Sequence, residues 1–154
     1  MTGFEKAIAL FAPVTALLTD FVQMFDLDYT VALQPKFEAN LDTDVIGYAV
    51  AVPEASTEAF VNDFIKRFPS CKCFHSFTLS FMHELGHLET ECDMVDDTEE
   101  RNTITDNETY FDLYNERIAT DWAGEYLTEN KEEMLILERQ ILTELHKVWV
   151  KIPD

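Results

Sequence analysis

The sequence predicts an α+β domain, rich in helix, with a small antiparallel sheet and one helix that carries the chemistry. Three observations support this. Apolar residues recur at helical spacing over most of the chain. Two short β-rich runs, residues 29–34 and 45–52, flank the turn residues Asp42, Thr43 and Asp44. Residues His83, Glu84, Leu85, Gly86 and His87 spell H-E-x-x-H. At 154 residues and 47% hydrophobic, the chain suits a single domain over residues 1–154 with its own core.

Phe4, Ile8, Phe11, Leu18, Phe21 and Phe25 place a helix over residues 4–25, which Pro13 kinks or restarts. Residues 7–18 have the look of a short signal-peptide core. Glu5 offsets Lys6, however, Pro13 interrupts the run and no A-x-A-like cleavage site follows. The stretch is also too short to span a membrane. A core helix and a cytoplasmic protein with no membrane partner are the expectation. The two β-rich runs then pair antiparallel. Ser56 or Thr57 caps a helix over residues 58–67 that buries Ala59, Phe60, Phe64 and Phe68 and ends at Pro69.

The motif helix covers residues 74–91. Residues 92–107 hold six acids and few apolar residues, and read as a solvated loop. A calcium loop would need an internal glycine that is missing here. Helices over residues 108–128 and 131–150 follow, with the break at Asn130. Met134, Leu137, Ile141, Leu145 and Val148 form the buried face of the last one.

Composition narrows the function. Eleven Lys and Arg against 30 Asp and Glu give a net charge of −19, which argues against a direct nucleic-acid binder and suits basic partners, solubility or adaptation to high salt. Three cysteines, Cys71, Cys73 and Cys92, form no disulfide framework and suit a reducing compartment.

On a helix, four residues advance about 400°, so His83 and His87 share a face one turn apart. Two imidazoles at that spacing can bind one zinc ion. Glu84 lies beside them, where its carboxylate can act as general base on a water polarised by the ion. Phe77, Phe81, Leu85 and Leu88 make the helix apolar on much of its circumference, so it is buried and its histidines need partners.

A catalytic zinc needs a third protein ligand. The pattern H-E-x-x-H-x-x-G-x-x-H is excluded, because Thr90 and Asp93 stand where Gly and His would be. The next helix offers Glu108, Asp112, Glu116, Asp121 and Glu125. Glu116 shares a face with Ala119, Ala123 and Leu127, and small residues let two helices approach. Glu116 is therefore the expected third ligand. Asp112 or Thr120, one turn to either side, could hydrogen-bond a ligand, but a solvated face is the expected place of each. His75, two turns before His83, reads as structural or exposed. Tyr110, Tyr114 and Tyr126 are candidates to donate to an oxyanion, with packing the expected role of each.

Residues 116–127, Glu-Arg-Ile-Ala-Thr-Asp-Trp-Ala-Gly-Glu-Tyr-Leu, resemble the second motif of ImmA/IrrE-type metallopeptidases. In that family a Glu-x-x-Ala-x-x-Phe-Ala-x-x-Leu-Leu-like helix follows an H-E-x-x-H helix after a loop. Trp122 takes the aromatic position. Ile118 replaces the usual acid before the alanine, and Thr128 and Glu129 stand where a Met-Pro ending is usual. The resemblance spans residues 74–128. It implies a zincin-like, gluzincin-type fold, zinc on His83, His87 and Glu116, and Glu84 as catalytic base. It also implies a protein substrate, often a DNA-binding repressor of a mobile element. Two other classes compete: an acidic inhibitor module that imitates nucleic acid or docks on a basic protein, and a zinc site kept for stability.

Overall fold

The computed structural model of the protein describes residues 2–25, 28–50 and 54–151. The chain begins with two helices, α1 (Gly3–Leu10) and α2 (Ala12–Val22). Pro13 falls in the first turn of α2, where its missing N–H costs nothing, so it restarts the helix rather than kinking it. The break at Phe11 separates the fates of the two pieces. Val14, Leu18, Phe21 and Val22 of α2 are buried, whereas α1 buries no residue and leaves Phe4 and Ile8 about half exposed, at 49% and 47%. The continuous core helix expected over residues 4–25 is therefore corrected. Only its second half enters the core.

Three strands form one mixed sheet in the order β1-β3-β2, with β1 (Thr30–Leu33), β2 (Glu38–Asn40) and β3 (Val45–Tyr48). β2 and β3 are an antiparallel hairpin. Its turn is built by Asn40, whose Oδ1 accepts from the Asp42 and Thr43 N–H groups, and by Asp44 at φ 56°, a left-handed conformation that Asp tolerates. β1 pairs with β3 in parallel, Val31 opposite Ile46 and Leu33 opposite Tyr48. The antiparallel pairing of the two β-rich runs is thus wrong. The connection between them supplies β2, the chain reverses twice, and β3 returns to the direction of β1. The predicted strand end at residues 51–52 lies outside the described residues.

Helix α3 (Glu54–Arg67) starts four residues earlier than predicted, so Ser56 and Thr57 lie inside it rather than at its start. Phe64 is fully buried, and Pro69 opens a 3-10 turn, Pro69–Cys73. Helix α4 (Ser76–Glu89) carries the H-E-x-x-H residues and is buried along most of its length. His75 is its N-cap: Nδ1 accepts from the Phe77 N–H at 3.0 Å. The buried carboxylate of Glu138 accepts from the His75 N–H at 2.8 Å and from Thr78 Oγ1 at 2.6 Å. A negative charge suits that end of the helix dipole.

The acidic segment is not a plain loop. It folds as a 3-10 turn, Glu91–Asp93, and a short helix, α5 (Thr98–Asn102), and the single helix expected over residues 108–128 is split, with α6 (Asn107–Phe111) set off from the next helix at Asp112 and Leu113. Helix α7 (Tyr114–Glu129) then packs along α4. Asn130 ends it by donating to the Tyr126 carbonyl, and α8 (Lys131–Lys151) closes the core with Met134, Ile141, Leu145 and Val148. The side chains of Glu108 and Trp149 lie outside the described residues. His146 is exposed. All three cysteines are unpaired. Among the described residues, no helix is long and apolar enough to cross a membrane.

Candidate metal centre

Contact between α4 and α7 builds the site. Gly86 makes that contact possible, because a Cβ there would stand 2.4 Å from the Ala119 carbonyl oxygen. With Ala119 and Ala123 fully buried opposite, the two backbones approach closely. One turn earlier on α7, Glu116 then reaches the imidazoles on α4.

Glu116 Oε1 lies 3.1 Å from His83 Nε2 and 3.3 Å from His87 Nε2, and its Oε2 lies 3.2 Å from His87 Nε2. The two imidazole rings are edge to face, with centroids 4.7 Å apart. One donor atom from each of the three residues lies within 4.8 Å of the others. Two donors on a tetrahedral ion with bonds of about 2.0–2.1 Å stand about 3.3 Å apart. The spacing from Glu116 to each imidazole fits that edge, and the His83, His87 and Glu116 group could hold a metal ion.

The surroundings keep these groups in place. His83 Nδ1 and Thr120 Oγ1 are 2.9 Å apart and both buried. With an ion on Nε2, the proton sits on Nδ1 and Thr120 accepts it, which fixes tautomer and ring orientation. Phe60 packs edge to face on His83 with centroids 5.2 Å apart. Glu116 also accepts from the Arg101 guanidinium at 2.8 Å, and Arg101 grips Asp97 through two bonds of 3.0 Å.

Electrostatics follow from this packing. Burial works against the charge on Glu116, but hydrogen bonds from His83 and His87 outweigh it and hold the carboxyl far below its ordinary range. Burial also opposes the charged form of His87, and the hydrogen bond and charge of Glu116 outweigh that and raise its pKa. Burial pushes the Glu84 carboxyl up, against the pull of the two histidines.

A cleft of about 480 Å³ opens on this cluster. Glu84, His87, Arg101, Tyr110 and Glu116 line it, together with residues 36–39 and 94–98. Thr120 is the α7 neighbour that reaches a histidine. Asp112 instead pairs with Arg67 at 2.7 Å, away from the histidines. Of the three candidate tyrosines, Tyr110 lines the cleft, and burial and the charge of Glu116 push its hydroxyl up to about 12. Tyr114 is exposed, and Tyr126 stacks on Trp122. His75 caps a helix and takes no part in the cluster.

Sequence reasoning missed Asp97, Arg101 and Asn115. Arg101 had a readable signal: it is the single basic residue in the stretch 92–112, four positions after Asp97. No family model matches this chain, and neither the curated proteins nor the solved structures contain a significant match to it.

Proposed function

We propose that the protein is a zinc-dependent metallopeptidase of zincin-like, ImmA/IrrE type, which cleaves a basic protein substrate such as a DNA-binding repressor. The observation that carries the reading is the meeting of the Glu116 carboxylate with both imidazoles, with Glu84 lining the same cleft. A structural zinc site is commonly closed by four protein ligands. Here three side chains converge, and a cleft leads to them.

His83, His87 and Glu116 would hold the zinc. When bound, the ion polarises a carbonyl and lowers the pKa of water towards neutrality. Glu84 takes a proton from the attacking water and returns it to the departing amine. Its raised pKa suits an acid–base group that must carry the proton between two steps. Tyr110, in the cleft wall, is positioned to donate to a developing oxyanion. β2 is an edge strand, paired on one side with β3, and it borders the cleft. An extended peptide can add to such an edge by main-chain hydrogen bonds. Glu38, Asp96 and Asp97 around the cleft favour a basic substrate.

Metal analysis of purified protein should return about one zinc per chain, and His83→Ala should abolish it. Glu84→Gln should keep the metal and lose about 10²–10⁴-fold in cleavage of a basic substrate, read as fragments on a gel with and without chelator. A biological effect that survives Glu84→Gln and disappears on surface-charge reversal would instead identify an acidic binding module.

A further inference from the structure

We propose that Arg101 is a positioning residue for Glu116: it reserves Oε2, so that a single carboxylate oxygen faces an ion between His83 and His87. The inference rests on the metal-centre reading above and adds to it the device that keeps a coordination position open.

Arg101 donates to Glu116 Oε2 at 2.8 Å. Its Nε and one terminal nitrogen each donate to Asp97 at 3.0 Å, a forked grip that fixes the guanidinium plane. Asp97 in turn accepts from Asn115 Nδ2 at 3.3 Å, so the chain of contacts returns to α7 one residue before Glu116. On another side the guanidinium carbon lies 5.3 Å from the centre of the Tyr110 ring. The guanidinium is therefore held by Asp97 and the Tyr110 ring before it touches the ligand.

An exposed pair of this kind would mean little. Here the carboxylate side chain is 6% exposed and the guanidinium side chain 31%, so the contact is shielded on its working side. A carboxylate can bind a metal through one oxygen or two. Two would fill the position that a catalytic site leaves for water. Oε2, engaged by Arg101 at 2.8 Å, also lies 3.2 Å from His87 Nε2, whereas Oε1 is within reach of both imidazole nitrogens, at 3.1 and 3.3 Å. Lysine could supply the charge but not the fork that fixes its direction.

Cobalt(II) in place of zinc reports this directly, because its visible absorption weakens and moves to shorter wavelength as coordination number rises. Wild type should show intense four-coordinate bands. In Arg101→Met the bands should lose intensity and shift to shorter wavelength, with helix content by circular dichroism unchanged. Arg101→Lys should fall between the two, and Asp97→Asn should move the same way by less. Should Arg101→Met fail to fold, the Lys and Asn variants carry the test. Spectra in the folded variants that match wild type would overturn the role of Arg101 alone. Wild type that takes up no cobalt would overturn the metal centre and this role with it. Wild type that binds cobalt and cleaves nothing, with the spectral shift present, supports Arg101 and counts against the peptidase.

Discussion

The helix pair α4–α7 and the acidic segment 90–113 deliver side chains to the same carboxylate by opposite means. In the pair, Gly86, Ala119 and Ala123 bring two backbones together, and Glu116, His83 and Thr120 are fixed because their helices are fixed. The segment buries few of its residues. Arg101 arrives there through polar tethers, from Asp97 to Asn115 and from Arg101 to Glu116. Close packing sets position by excluded volume and does not yield to small perturbations. Polar tethers on an exposed segment can open locally, at a cost below that of global unfolding. The imidazole side of the site should therefore be rigid, and the guanidinium side adjustable.

The sharpest way to break the rigid side is Gly86→Ala. The new Cβ would meet the Ala119 carbonyl oxygen at 2.4 Å, and backbone cannot swing aside as a side chain can. Overpacking of this kind costs about 1–3 kcal/mol. The expected result is a melting temperature lowered by several degrees, together with weaker metal uptake in equilibrium dialysis. A variant with wild-type melting and metal content would show that the two helices have slack at this contact.

Thr120→Val, the next largest, keeps the shape and removes the polar partner of His83 Nδ1. Loss of such a partner typically weakens metal binding about 10–100-fold. Competition against a chromophoric chelator reads that change. An unchanged affinity would mean that packing from Phe60 alone orients the imidazole.

The same contrast explains what could be read from the residue order. His83, Glu84 and His87 are legible because helical period and ligand spacing coincide. Glu116 is legible because small residues one turn on mark a close helix contact. Thr120, expected on a solvated face, is instead buried against His83. Asp97 escapes, because a tethered polar segment and a solvated one have the same composition, and Arg101 leaves only its isolated charge as a signal. The strands suffered similarly. Their β-rich runs were visible, but their relative direction depended on Glu38–Asn40, three residues too short and too polar to announce a strand. In α1, apolar spacing gave the helix correctly, yet Phe4 and Ile8 are half exposed because the chain breaks at Phe11. Periodicity reports that a face exists and not what covers it.

The smallest expected global effect sits on the adjustable side. Asn115 holds the segment by donating from Nδ2 to the Val95 carbonyl at 2.7 Å and accepting the Val95 N–H at 2.9 Å. Asn115→Ala removes both bonds and the contact to Asp97. Val95 is 53% exposed, so water can take up the freed backbone groups and little global stability is lost. Local opening should change far more. Amide exchange at Val95 should accelerate sharply, and protease nicking should concentrate in residues 94–106, while the amides of α4 keep their protection. If exchange in α4 rises in parallel with that of Val95, segment and helix pair open as one cooperative unit, and the division between a packed side and a tethered side does not hold.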